Sequence, residues 1–176
     1  VTSGLVVIDK PAGMTSHDVV ARVRKIFKTR RVGHAGTLDP MATGLLIIGI
    51  ESGTKALSFI SNASKKYSAT IRLGAATVTD DSQGEQISFT DASHLTDDEI
   101  RQGLLAMVGE IEQVPASVSA IKVNGERAYA RVRAGEEVEL KARRVTIYAL
   151  EVHDIFRAGP FVEVDNISLY FDRGMN

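Results

Sequence analysis

The amino-acid sequence predicts an α+β fold, built on a mainly antiparallel mixed sheet with flanking helices. Predicted strands outnumber predicted helices and several connections are short, which favours this arrangement over a regular βαβ repeat. A length of 176 residues predicts one domain. The composition, with 44% hydrophobic and 24% charged residues and a formal net charge of −1, is typical of a soluble globular protein rather than a disordered, collagen-like or coiled-coil chain.

The first predicted elements are a buried strand at residues 4–9 and an amphipathic helix at about 17–28. Residues 10–13 (Lys-Pro-Ala-Gly) end the strand, and the hydroxyl group of Thr15 or Ser16 can cap the helix. The helical spacing of apolar residues predicts one buried stripe, made of Val19, Val20, Val23, Ile26 and Phe27. Most basic residues of the helix lie off this stripe and are expected to face water or a ligand.

Residues 29–44 show no periodicity and contain three glycines and one proline. They predict a long irregular loop, and loops of this kind in compact domains are often functional. A second buried strand is predicted at residues 45–50, because this segment is a continuous apolar run. A short helix is expected to follow at about residues 54–61.

The remaining segments predict mostly strands. Residues 66–73 alternate apolar and polar side chains, which indicates a half-buried strand. A capping-box pattern at residues 96–99 predicts a helix that buries Ile100, Leu104, Leu105 and Val108. Further strands are predicted at residues 117–123, 144–152 and 161–165, with a tight turn at Asn124-Gly125 and a helical turn at residues 129–134.

Charge is unevenly distributed along the chain. Between positions 22 and 31 there are six basic residues and no acidic one, namely Arg22, Arg24, Lys25, Lys28, Arg30 and Arg31. Residues 73–100 contain seven acidic residues and no Lys or Arg, whereas residues 122–144 are basic on balance. The basic segments predict either solvated helix faces or a local phosphate-binding surface, and charge alone leaves both interpretations open.

Several kinds of chemistry are excluded or disfavoured. The chain has no cysteine, which excludes disulfides, thiolate nucleophiles and cysteine-based metal sites. The histidines are scattered and none forms an HxxxH pair, so metal binding through histidine is not expected; they are His17, His34, His94 and His153. No apolar stretch is long enough to span a membrane, and no secretion signal begins the sequence, so a cytoplasmic protein without membrane contacts is expected.

Asp39 is the first candidate catalytic residue. It precedes Pro40, which disfavours helical geometry at Asp39, and nearby glycines allow a ligand to approach the backbone closely. Arg30 and Arg31 would keep the carboxylate ionised if they lie near it. A rigid, ionised carboxylate can act as a nucleophile or a general base, while the alternative interpretation is an ordinary Asp-Pro turn.

Three further features are ambiguous from local chemistry. His34 is either a core or turn histidine or a residue that stacks on a base. Tyr67 lies on the alternating strand and by default is a core residue whose hydroxyl group needs a partner. Gly33 and Gly36 can form an anion-binding nest, although two glycines at this spacing are a weak signal.

Four segments, in order, resemble motifs of the TruB family of tRNA pseudouridine synthases. GHAGTLDPMATGLL is similar to the catalytic loop of that family, and VVIDKPAGMTSHDVV to its N-terminal Lys-Pro motif. KKYSATIRLG resembles its tyrosine-bearing strand, and VPASVSAIKVNGERAYARVRAGEEVELKARRVTIY a later segment. The resemblance spans about residues 4–165 and implies the catalytic-domain fold of pseudouridine synthases.

The resemblance implies a role for individual residues. Asp39 matches the catalytic aspartate, which attacks the target nucleotide and promotes loss of the base from C1′ of the ribose. Tyr67 matches the tyrosine that stacks on the flipped uracil. His34 matches the histidine that fills or contacts the space left by the flipped base. Lys10 and Pro11 match the motif that packs beneath the catalytic loop. We also expect substrate contacts from Gly33, Gly36, Thr37, Leu38, Arg30, Arg31, Lys122 and Tyr129.

The implied reaction is isomerisation of the T-loop uridine, position 55 of tRNA, to pseudouridine, with no metal or cofactor. The implied partner is the T-arm stem-loop of tRNA, and we expect a monomer. The main alternative is a catalytically inactive RNA-binding or tRNA-folding protein or fragment. An aspartate-nucleophile phosphotransferase or hydrolase is disfavoured, because the sequence shows neither a cation site nor a phosphate loop.

The resemblance ends near Asp165. The family continues with a Cys-Ser-x-Gly-Thr-Tyr-Ile-Arg motif whose arginine pairs with the catalytic aspartate, whereas residues 166–176 read NISLYFDRGMN. We therefore expect a partial catalytic domain at residues 1–165 and an unassigned tail at 166–176. Either the chain is a fragment, or it joins stretches of a longer protein with a junction near Asp165, and both interpretations are favoured over a naturally shortened enzyme. The family's C-terminal PUA domain is not seen, and Arg173 is not expected to replace the missing arginine.

Overall fold

A computed structural model describes residues 2–114, 122–123, 126–127 and 142–173 of the chain. The chain divides into two compact units, Val1–Ala63 (unit 1) and Ser64–Asn176 (unit 2). Both units contain helices and strands, and every strand pair among the described residues is antiparallel. The predicted α+β class with antiparallel pairing is confirmed.

Unit 1 is a three-stranded sheet packed against one long helix. Its strands are β1 (Gly4–Lys10), β2 (Val32–Ala35) and β3 (Gly44–Ile50), in the order β1-β3-β2. Helix α1 (Ser16–Phe27) follows β1, and a 3-10 helix at Glu51–Ala56 and a short α2 (Leu57–Ser61) follow β3. The core is formed by the valines of α1, the first residue of β2 and the inward residues of β3, namely Val19, Val20, Val23, Val32, Leu46, Ile48 and Ile50.

Two predictions in unit 1 are corrected by the structure. Ile26 was expected in the buried stripe, but it is 73% exposed because the last turn of α1 packs through the half-buried Phe27 instead. Residues 29–44 are not irregular throughout, because β2 lies within them and pairs with β3 in the register Val32↔Ile50. This strand forms because it pairs with β3, since its own four residues show no strand pattern.

Unit 2 is dominated by a five-stranded sheet. Four of its strands lie in the order β11-β12-β10-β7, and β4 pairs with β12. The strands of unit 2 are β4 (Lys65–Leu73), β5 (Ala75–Thr77), β6 (Gln86–Phe89), β7 (Gly109–Gln113), β8 (Lys122–Val123), β9 (Glu126–Arg127), β10 (Arg143–Glu151), β11 (Asp154–Ala158) and β12 (Phe161–Arg173). Its helix is α3 (Asp97–Leu105).

Unit 2 also departs from the sequence predictions in three places. Helix α3 buries Ile100 and Leu104, but Leu105 is exposed because it lies about 100° around the helix from Leu104. Val108 lies beyond the end of the helix and is exposed too. On β4, Ile71 is exposed rather than half-buried, as is Ala69.

The strand predicted at residues 161–165 is longer than expected. Strand β12 continues to Arg173 and pairs with both β4 and β10 beyond residue 166. Its pairing with β4 changes register between Val164 and Ile167. The domain division near Asp165 therefore falls within a continuous strand, and the division itself stays a prediction.

Near residues 124–125, strands β8 and β9 pair with Val123 opposite Glu126. The predicted turn between them and the helical turn at 129–134 lie outside the described residues. Within the described part of the chain, no helix is long and apolar enough to cross a membrane. Across the same residues, no cluster of three or more His, Asp or Glu side chains could bind a metal ion.

Candidate active site

Asp39 lies in the loop that joins β2 to β3. Gly36 begins this loop with φ +79°, and Gly44 begins β3 with φ +110°, so both occupy backbone conformations that favour glycine. The side chain of Asp39 is exposed, and the next residue is Pro40. The carboxylate is therefore accessible to a ligand, while the surrounding chain determines where it points.

The buried side chain of Lys10 contacts this loop at the carbonyl of Pro40. Lys10 is the last residue of β1 and is fully buried, with 0% exposure. Its Nζ donates hydrogen bonds to the carbonyl oxygens of Met14 (2.6 Å), Pro11 (3.1 Å) and Pro40 (3.3 Å). Because an ammonium group has three donors, these carbonyls satisfy the buried charge and connect the Lys-Pro segment to the residue after Asp39.

Two backbone hydrogen bonds stabilise the same side of the loop. The amide of Gly13 donates to the carbonyl of Pro40 at 2.7 Å. The amide of Ala42 donates to the carbonyl of Asp39 at 3.0 Å. The backbone that follows Asp39 is thus bonded both to the Lys-Pro segment and within its own turn.

Ser16 contacts the residue before Asp39. Its hydroxyl group donates to the carbonyl of Leu38 at 3.2 Å and accepts from the amide of Leu38 at 3.0 Å. Ser16 is 1% exposed. The sequence indicates Ser16 only as a possible helix cap. The signal for another role is that Thr15 and Ser16 are two adjacent hydroxyl residues for one capping position.

His34 lies on β2 and is half-buried. Its Nδ1 is hydrogen-bonded to the carbonyl of Gly36, which can only accept, so Nδ1 carries the proton and a neutral ring leaves Nε2 as an acceptor. The ring of His17 meets it edge-on, with centroids 5.4 Å apart at 77°. The sequence shows His17 only as one of several scattered histidines, because His17 and His34 are too far apart along the chain for a short motif to relate them.

The sequence left open whether Arg30 or Arg31 lies near Asp39. Among the described residues, Asp39 forms no ion pair. Arg31 instead lies near Glu51, with 3.9 Å between Nε and Oε2. Arg30 is exposed.

The exposed cations of α1 and the residues after it form a basic surface. It consists of Arg22, Arg24, Lys25, Lys28, Arg30 and Arg31, all of which are exposed. Arg24 also donates from Nη2 to the carbonyl of Val32 at 3.1 Å, which ties the end of the helix to β2. This basic surface belongs to the same unit as Asp39 and can interact with phosphate groups.

The other predicted site residues have different surroundings. Gly33 is extended within β2, where an added Cβ would lie 3.1 Å from Leu57 Cδ1 and would require that side chain to shift by a few tenths of an ångström. Thr37 is exposed in the loop, and Leu38 packs against the core of unit 1. Pro11 is exposed and its carbonyl accepts from Lys10.

Tyr67, Lys122 and Tyr129 belong to unit 2. Tyr67 is half-buried on β4, and its ring stacks on Phe171 with centroids 5.7 Å apart at 23°. The backbone of Lys122 pairs with Arg127 between β8 and β9. Tyr129 lies outside the described residues.

The chain is similar to known proteins of one family. Residues 24–168 match the model of the TruB family pseudouridylate synthase N-terminal domain. The tRNA pseudouridine synthase B of Paenarthrobacter aurescens is 59% identical over 165 residues, covering 93% of this chain and 53% of the relative. That of Mycobacterium avium is 60% identical over 162 residues, covering 92% and 52%. The chain therefore spans about half the length of these relatives.

Solved structures share the fold. A chain of a Cbf5-Nop10-Gar1 complex aligns with a TM-score of 0.64 and 27% identity, covering 98% of this chain and 40% of that one. A chain of an H/ACA RNP bound to a substrate RNA containing 2′-deoxyuridine aligns with a TM-score of 0.61 and 25% identity, covering 98% and 39%.

Proposed function

The chain belongs to the TruB family of pseudouridylate synthases, and from this premise we propose that the protein isomerises a tRNA uridine to pseudouridine. The proposed target is the T-loop uridine at position 55, and the proposed nucleophile is Asp39. The relatives named tRNA pseudouridine synthase B support the substrate class. One observation carries the assignment of the residue: the carboxylate of Asp39 is exposed, while the backbone on both sides of it is hydrogen-bonded to residues 10–16.

Asp39 promotes departure of uracil from C1′ of the ribose. The detached base rotates and rejoins the sugar through C5, and the hydrogen on C5 leaves as a proton. N1, released from C1′, takes up a proton in exchange, so the product is an isomer of the substrate and the reaction requires no oxidant or reductant. An exposed carboxylate on a restrained backbone suits this role, because attack depends on the position of the reacting oxygen.

The target base must leave its stacked position before Asp39 can reach the sugar. Extrusion costs a few kcal/mol, and stacking on an aromatic ring contributes about 1–3 kcal/mol per base. We assign Tyr67 to stacking on the flipped uracil and His34 to the space that it leaves. The Nε2 atom of His34 is available for a hydrogen bond in the tautomer described above.

The basic surface of unit 1 binds the RNA backbone in this proposal. Neutralised phosphates release counterions, so affinity falls steeply as salt rises. Lys122 and Tyr129 are proposed to contribute further RNA contacts from unit 2. We also propose a monomer that acts in the cytoplasm, where unmodified tRNA is its partner.

Tritium release from tRNA labelled at uracil C5 tests the proposal in the intact protein. The wild type is expected to release tritium and Asp39→Asn to release none, while both bind tRNA equally well. Asp98→Asn is the matched control, because it neutralises an exposed carboxylate of unit 2 and should leave turnover unchanged. Normal turnover by Asp39→Asn would refute the role of Asp39, and tRNA binding without release by the wild type would indicate an RNA-binding or RNA-folding protein instead.

A further inference from the structure

We propose that Ser16 is a positioning residue for Asp39 and that it acts by fixing the backbone of Leu38. This inference rests on the proposed function. Ser16 is 1% exposed, and both hydrogen bonds of its hydroxyl group go to one residue, Leu38. A side chain that binds both the amide and the carbonyl of one residue fixes the two peptide planes that flank it.

The hydroxyl group of Ser16 is not needed to begin α1. Thr15 caps the helix, and its Oγ1 accepts from the amide of Asp18 at 3.0 Å. The carboxylate of Asp18 in turn accepts from the amide of Thr15 at 2.8 Å. The capping box is complete without Ser16, so the position of this buried hydroxyl group is explained by the loop rather than by the helix.

The bonds of Ser16 restrict the torsions of Asp39. The peptide between Leu38 and Asp39 is planar, so the hydrogen bond at the carbonyl of Leu38 also fixes the amide of Asp39. On the other side, the carbonyl of Asp39 accepts from Ala42, and the following proline restricts the backbone of Asp39 further. The backbone thereby sets the direction of the Cα–Cβ bond from which the exposed carboxylate of Asp39 extends.

Loss of the Ser16 hydroxyl group should therefore affect turnover more than RNA binding. A misplacement of about 1 Å at a reacting group can cost about 100-fold in rate. We expect Ser16→Ala to lower kcat between about 10- and 100-fold while KM and the Kd for tRNA change less than about twofold. In the same variant, the amide of Leu38 should exchange with solvent faster, as measured by NMR.

Thr15→Ala is the matched control, because it removes the neighbouring hydroxyl group. It breaks the cap of α1 and should lower Tm, yet it leaves both bonds to Leu38 intact. We expect its kcat to stay within about twofold of the wild type. If Ser16→Ala and Thr15→Ala reduce kcat equally, or if Ser16→Ala leaves kcat unchanged, Ser16 has no positioning role.

Two further measurements keep this test decisive. If Ser16→Ala does not fold, Ser16→Cys replaces it, because a thiol is a weaker hydrogen-bond partner that still fills the site. A normal kcat in Ser16→Cys would then overturn the inference. Wild type and Asp39→Asn are assayed in parallel, and an inactive wild type refutes the proposed function. If the wild type is active and Asp39→Asn is inactive, a normal kcat in the Ser16 variant overturns only the role of Ser16.

Discussion

The two main helices begin with the same local motif but use the next residue differently. Thr15 and Asp18 form a complete capping box at α1, and Thr96 and Glu99 form one at α3. The residue after the cap is the buried Ser16 in unit 1. In unit 2 it is Asp97, a 54% exposed side chain that pairs with Arg157 at 2.7 Å.

This difference separates local from tertiary determinants. Both capping boxes depend on atoms within four residues of one another, so they form wherever the helix forms. The bonds of Ser16 reach Leu38, 22 positions along the chain, and those of Asp97 reach β11. The residue after the cap is therefore a buried serine that holds the Asp39 loop in unit 1 and an exposed aspartate that forms an ion pair in unit 2.

Among the paired variants, Ser16→Ala and Asp97→Ala should differ most in their loss of unfolding free energy. Ser16→Ala leaves the amide and carbonyl of the half-buried Leu38 without their partner, which should lower the free energy of unfolding by about 1–3 kcal/mol. Asp97→Ala removes an exposed pair and should cost about 0–1 kcal/mol. Urea denaturation of the two variants measures both values, and equal losses would contradict the comparison.

Thr15→Ala and Thr96→Ala should instead behave alike. Each removes a cap that accepts from the amide of the third helical residue, so each should cost about 1 kcal/mol. Hydrogen exchange of the first-turn amides in α1 and α3 measures the two losses separately. A loss in one unit more than twice that in the other would show that tertiary contacts determine the strength of the cap.

Acid should weaken both capping boxes, with the smallest effect of the three comparisons. The pKa of Asp18 is lowered most by a hydrogen bond from the side chain of Thr15 and further by one from the backbone of Thr15. Hydrogen bonds from the backbone and then the side chain of Thr96 lower the pKa of Glu99. Because the folded state binds these protons more weakly, the stabilisation is complete above the unfolded-state pKa values and is lost as pH falls through the folded ones.

The measurement is Tm against pH for the wild type and an Asp18→Asn, Glu99→Gln double variant. The wild type should lose more Tm than the double variant between about pH 5 and about pH 3. Parallel curves would show that neither carboxylate contributes to the acid dependence. The exposure of both groups keeps the expected difference small.

Much of the candidate site could be predicted from sequence. The loop with Asp39, the Lys10 motif beneath it and the exposed basic helix followed from residue type and resemblance, and the family is confirmed. Ser16 and His17 were missed as neighbours of the loop, because their partners Leu38 and His34 are distant in sequence. The sequence left open whether Arg30 or Arg31 lies near Asp39, and in the structure Arg31 lies near Glu51.

The sequence by itself determined the helix starts, the main strand segments and the family. These features depend on local capping bonds, hydrophobic periodicity and short motifs, all of which are visible within a few residues. Only the tertiary structure decided that β2 forms, that Ile26 is exposed and that Ser16 rather than Thr15 bonds the Asp39 loop. Each of these depends on contacts between distant segments, where burial and pairing override local propensity.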